Sequence, residues 1–128
     1  MLNKIAELHK QCFPEHPWSE SDFMDLKKSG CEIIASDNAF IVWRAVADEA
    51  EIISIGVTPA HRRSGIAGAL ILLMEQELKK HGVVNVFLEV SEVNYPAKKL
   101  YEKYGFVATG KRPKYYDGID AIIMSKSL

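Results

Sequence analysis

Apolar positions recur every three to four residues at the start of the chain, where Leu2, Ile5, Leu8 and Cys12 fall on one stripe of a helix. Phe13-Pro14-Glu15-His16-Pro17 interrupts that period. Ser19 then stands as an N-cap with Asp22 three residues on, Trp18 and Phe23 occupy the flanking staple positions, and Gly30 marks the stop. From Cys31 onward the pattern changes to β-branched and aromatic runs, Glu32 to Ser36, Ala39 to Val46 and Glu51 to Val57. The breaks between them, Asp37-Asn38 and Ala47 to Ala50, are short enough for hairpins, so the three strands are expected to be antiparallel neighbours. Gly56 inside the third signals a bulge or a close backbone approach, and Pro59 ends it.

The second half alternates differently. Ile66, Leu70, Leu73, Met74 and Leu78 lie on one stripe of a helix running to about His81, with Gly82 as its stop, and Asn85 to Val90 reads as a strand. Strand, helix and strand in that order make a right-handed crossover, which sets Glu51–Val57 parallel to Asn85–Val90. Asn94 caps a further helix with Pro96 in its first turn; Ala97, Leu100, Tyr101 and Tyr104 recur on its inner side, and Gly105 stops it. Phe106 to Gly110 and Ala121 to Ser125 read as a closing hairpin around a long polar excursion. The expected architecture is an α/β (α+β) domain spanning residues 1–128. Its sheet is mixed and mostly antiparallel, with one parallel pair and about four flanking helices.

Composition narrows the function classes. At 128 residues and 48% apolar content the chain suits one globular core, and a formal net charge of -1 gives no global basic field for nucleic acid or acidic membrane. The longest apolar run, Ile66 to Met74, is far shorter than the roughly 20 residues that span a bilayer. Cys12 and Cys31, in a chain whose start is not signal-like, are expected as reduced thiols in a cytoplasmic protein. His9, His16, His61 and His81 are scattered, so no metal site is expected.

One stretch is built to hold something. Arg62-Arg63-Ser64-Gly65-Ile66-Ala67-Gly68 joins a strand to a helix, where glycines let a ligand approach the backbone and the helix offers unpaired N–H groups to an anion. Arginines beside it suit phosphate oxygens. The alternative is a tight turn whose glycines only permit packing. Glu89 interrupts the apolar strand Val86-Phe87-Leu88-Glu89-Val90, where a carboxylate must be solvated, salt-bridged or functional. Tyr101 is core or chemistry, and Asn94 a plain cap or a ligand contact. All three follow the second parallel strand, at the carboxyl edge where open sheets bind ligands, and the glycine stretch lies on the same edge.

Arg62-x-x-Gly65-x-Ala67 resembles the pyrophosphate-binding signature of the GCN5-related N-acetyltransferases. Within that superfamily the chain resembles the bacterial RimI-type ribosomal-protein alanine N-acetyltransferases. The matching stretches are Pro17-Trp18-Ser19-Glu20, Ile55-Gly56-Val57 with Pro59, Arg62 to Gly68, Leu88-Glu89-Val90, Asn94, Leu100-Tyr101-Glu102 with Gly105-Phe106, and Tyr115-Tyr116 followed by Asp120-Ala121-Ile122-Ile123-Met124. The resemblance implies acetyl-coenzyme A as cosubstrate. Ile55, Gly56 and Val57 would then pair with its pantetheine arm, Arg63, Ser64, Gly65, Ile66, Ala67 and Gly68 would cradle its diphosphate with Arg62 as a further cofactor contact, and Asn94 would contact it as well. It further implies Glu89 as general base and Tyr101 as general acid in direct transfer to the N-terminal α-amine of a protein, a ribosomal protein being the family's acceptor.

Trp18, Tyr115 and Tyr116 are candidates for the acceptor groove. Glu20, Asp22 and Asp25 are either attractors for a basic peptide or ordinary surface. Acetylation of a small amine or a lysine side chain, and coenzyme A binding without turnover, are the rival readings. The family begins with an edge strand, whereas this chain is expected to enter directly on the helix after it, so an open sheet edge or a partner's strand is expected there, giving a monomer or a homodimer joined along it.

Overall fold

The computed structural model of the protein describes residues 2–116 and 118–128, those at 114–116 through their backbone alone. Helices α1 (Leu2–Cys12) and α2 (Glu20–Lys28) come first, then strands β1 (Glu32–Ala35), β2 (Ala39–Val46) and β3 (Glu49–Val57). A short 3-10 turn, Pro59–His61, leads to α3 (Ile66–Lys80), followed by β4 (Asn85–Ser91), α4 (Tyr95–Lys103), β5 (Val107–Tyr116) and β6 (Ile119–Ser127). The six strands form one sheet in the order β1-β2-β3-β4-β6-β5. Its pairs are antiparallel apart from β3 with β4, as the crossover through α3 requires.

The sheet is covered on both faces. Alternation along β2 sends Phe40 and Val42 to a cluster with Ile5, Leu8 and Cys12 of α1 and Phe23 of α2, and sends Ala39, Ile41 and Trp43 to the opposite face. There Leu70, Ile71, Met74 and Leu78 of α3 and Tyr101 of α4 build the larger core against Val86, Leu88 and Val90. The α3 stripe differs from the expected one at Leu73, which is 47% exposed, because the helix turns Ile71 inward instead.

Both caps read from the sequence are formed. Ser19 and Asp22 close a full capping box on α2, and the Asn94 side chain accepts from the Ala97 N–H at 3.3 Å on α4. The polar excursion, by contrast, is strand: β5 and β6 run on as a long hairpin to Tyr116 and Ile119. Lys111, Arg112 and Pro113 there are exposed, so alternation of hydrophobicity is lost although pairing continues. The turn before β3 is also tighter than expected, with Ala47 at φ 56° and the strand beginning at Glu49.

A bulge in β3 matters for the site. Trp43 pairs with Ile52 and Val42 with Ser54, leaving Ile53 as an extra residue. Before it Ala50 and Ile52 face α3; beyond it Ile55 and Val57 take that face, while Ser54 and Gly56 turn toward α1. A Cβ on Gly56 would lie 2.8 Å from the Phe40 ring and 3.0 Å from Cys12 Cβ. The close approach expected at this glycine is therefore between sheet and α1.

Candidate active site

Parallel pairing between β3 and β4 covers only Glu49 with Asn85, Ala50 with Val86 and Glu51 with Phe87. Beyond that point the strands separate, while β4 stays paired to β6 through Ser91. The opening is a cleft of about 990 Å³. Ile53 to Val57 form one wall, Glu89 to Ser91 the other, and the first turn of α3 closes one end with Asn94, Tyr101 and Tyr104 alongside. The sequence-predicted residues Ile55, Gly56, Val57, Arg62, Arg63, Gly65, Ile66, Ala67, Gly68, Glu89, Asn94 and Tyr101 all line it. Ser64 alone of the glycine stretch contributes no lining atom; its hydroxyl donates to the His61 carbonyl within the loop.

The N-terminus of α3 is the electropositive end of this cleft. Unlike α2 and α4, α3 has no side-chain cap: its N-cap is Gly65, in the left-handed region at φ 83°, with no heavy atom within 4 Å of where a Cβ would stand. First-turn N–H groups lacking intrahelical partners therefore face an open space, which is the arrangement that binds phosphate. Arg63 also adopts a positive φ, 64°, a strained choice for a residue with a Cβ. Arg62 Nε donates to the Val57 carbonyl at 2.9 Å and its terminal nitrogen reaches the Cys12 carbonyl at 3.5 Å, so its side chain ties the loop to the ends of β3 and α1. Gly68 likewise has a packing reason, since a Cβ there would overlap the Tyr104 phenol.

Glu89 and Tyr101 stand on opposite faces of the sheet. Val86, Leu88 and Val90 enter the α3 core, so alternation turns Glu89 away from it, toward the side on which α1 lies. Tyr101, 7% exposed, packs within that core with its ring 5.9 Å from Phe106 in an edge-on contact. The two line one cleft because the splay opens the sheet through its thickness. Of the readings open for Glu89, a salt bridge is formed: the Arg112 guanidinium lies 2.7 Å from Glu89 Oε1.

Next to the cleft is a smaller cavity of about 430 Å³, lined by His9, Cys12, Phe13, Pro14, Glu15, His16, Trp18 and Ser54. Cys12, Phe13 and Ser54 belong to both. Trp18 is staple and wall at once: its ring stacks on His9 at 4.5 Å and meets Phe23 edge-on at 5.5 Å. The Trp18 N–H donates to His9 Nδ1 at 3.0 Å, which needs that nitrogen unprotonated, and burial pushes the imidazole below its ordinary range while Asp22 opposes the shift.

Cys12 escaped the sequence reading, since nothing in spacing brings the end of α1 to the cleft. Burial raises its thiol, with Arg62 acting the other way, so little thiolate forms there. The side chains of Tyr115 and Tyr116 lie outside the described residues. Asp22 is committed to the Ser19 N–H at 2.8 Å, as a cap.

Residues 2–106 match the family model described as acetyltransferase (GNAT) family. The chain belongs to that family. Acetyl-coenzyme A is the cosubstrate of this acetyltransferase, and the unpaired edge of β3 and the uncapped start of α3 fit its extended arm and its diphosphate. Over 118 residues the chain is 37% identical to the [ribosomal protein bS18]-alanine N-acetyltransferase of Escherichia coli K12, covering 85% of this acetyltransferase and 80% of the relative. The Haemophilus ducreyi protein of the same name is 31% identical, covering 97% of this chain and 92% of its own. The crystal structure of the ribosomal-protein-S18-alanine N-acetyltransferase from Escherichia coli superposes with a TM-score of 0.87 at 32% identity, covering 98% of this chain and 86% of that one. No helix among the described residues is long and apolar enough to cross a membrane.

Proposed function

We propose that this acetyltransferase modifies the N-terminal α-amine of a protein, a ribosomal protein beginning with alanine, with Glu89 taking a proton from the amine and Tyr101 giving one to the departing thiolate. The relatives' names support the acceptor class. The observation that carries the chemistry is the through-sheet cleft, which puts a carboxylate on one face and a phenol on the other of a single opening.

An α-ammonium with a pKa near ~8 is mostly protonated at neutral pH and has no lone pair for attack. Glu89, facing the α1 side, is the group that removes that proton. The amine nitrogen then bonds to the thioester carbonyl carbon as the carbon–sulfur bond breaks, and the Tyr101 hydroxyl protonates the sulfur. Tyr101 is restored by a proton lost from the nitrogen, so the sum releases one proton per acetyl transferred. In this reading the acceptor enters by the smaller cavity, lined by His9, Phe13 and Trp18 and adjoining the cleft.

Glu89→Gln and Tyr101→Phe are each expected to lower kcat by about 10²- to 10⁴-fold, with acetyl-coenzyme A affinity by calorimetry unchanged. Acetylation of a lysine-containing peptide whose N-terminus is blocked, at the rate of the free peptide, would exclude the α-amine. Full turnover in Glu89→Gln would remove the base.

A further inference from the structure

We propose that Arg112, on β5, is the positioning residue for the Glu89 carboxylate, an inference that rests on Glu89 acting as the base. The two residues are not on neighbouring strands. Arg112 is opposite Ala121 of β6, which is opposite Ser91 of β4, while Glu89 is opposite Ile123 one step along the same face. The guanidinium therefore crosses the whole of β6 to reach Glu89 Oε1 at 2.7 Å. Between them stands Ala121, fully buried and with only a methyl for a side chain.

The pair joins an exposed arginine, 53% accessible in its side chain, to a largely covered carboxylate. Glu89 is only 15% exposed, and a 2.7 Å nitrogen–oxygen distance is at the short end of charge-assisted hydrogen bonds. The neighbouring cation, Lys111, lies 3.7 Å from Glu92 and 3.5 Å from Asp120, so those carboxylates have their own partner on the ribbon. A glutamate at the rim of an open cleft has three side-chain torsions to fix before it meets an incoming amine. Arg112 fixes them from the side opposite β3, leaving the approach through the splay clear. The β5–β6 hairpin, through Arg112, thus sets the place of the base, although no described residue of either strand lines the cleft.

A double-mutant cycle tests this. Arg112→Ala should lower kcat between about 10- and 100-fold, the range for a misplaced catalytic group, with KM for acetyl-coenzyme A unchanged and Arg112→Lys restoring part of the rate. In a Glu89→Gln background, with residual rates followed over long incubations, removing Arg112 should change kcat by less than about twofold. An equal loss in both backgrounds would overturn the inference, as would a raised acceptor KM with kcat intact, which marks a peptide contact. Wild-type turnover in Glu89→Gln itself would instead defeat the assignment of the base.

Discussion

His9 is among the most buried polar residues, 2% exposed, and holds the junction of α1 and α2 through the Trp18 N–H and the rings of Trp18, Phe23 and Phe40. Because its folded-state pKa is depressed below 6.5, the unfolded chain binds the extra proton first. Its contribution to stability is complete above pH about 6.5 and is lost as pH falls from there through the folded value. Denaturation midpoints measured from pH 7.5 down to 5.5 should therefore fall for the native protein and flatten in His9→Gln. At Gly56 the relevant quantity is space. Gly56→Ala drives a methyl against the fully buried Phe40 and against Cys12, and should cost about 1–3 kcal/mol of overpacking in urea titration. No loss would mean that α1 lies further from the sheet.

Among the elements, α2 depends most on its ends. Its nine residues are too few to be stable alone, and what holds it is the Ser19–Asp22 box and the burial of Phe23. Ser19→Ala should cost about 1 kcal/mol, and the loss should be read as a lower midpoint with the unfolding slope unchanged. The capping box was legible because its partners are three residues apart. The bulge at Ile53 was not: Ile52-Ile53-Ser54-Ile55-Gly56 fits either face, and only pairing with β2 decides that Ser54 and Gly56 turn to α1. Helix α3 is anchored in its C-terminal half by Glu75 and Lys126, both carboxylate oxygens 2.9 Å from the amine, whereas its start has no side-chain cap.

For the whole molecule the deciding feature is that the two parallel strands share three residue pairs and then part, with β2 holding one and β6 the other. Backbone groups of β3 facing the gap have no strand to bond. Acetyl-coenzyme A should therefore slow amide exchange at Ile53 to Val57 and in the first turn of α3, leaving the β4–β6 ladder unchanged. Uniform slowing across the sheet would mean general tightening instead of strand-like pairing in the cleft.

The residues by themselves determined the helices, their caps, the parallel crossover and the glycine turn that opens α3, because each depends on side chains a few positions apart. Tyr101 and Glu89 could be placed on one edge for the same reason. What tertiary structure alone decided is which atoms meet across the sheet. Arg62 turned inward to two carbonyls, Gly68 made room for Tyr104, Cys12 came to the cleft, and Arg112 reached Glu89 over β6. Such partners lie as far as 50 residues apart in the chain, and no local periodicity carries a contact that exists only once strands have chosen their neighbours.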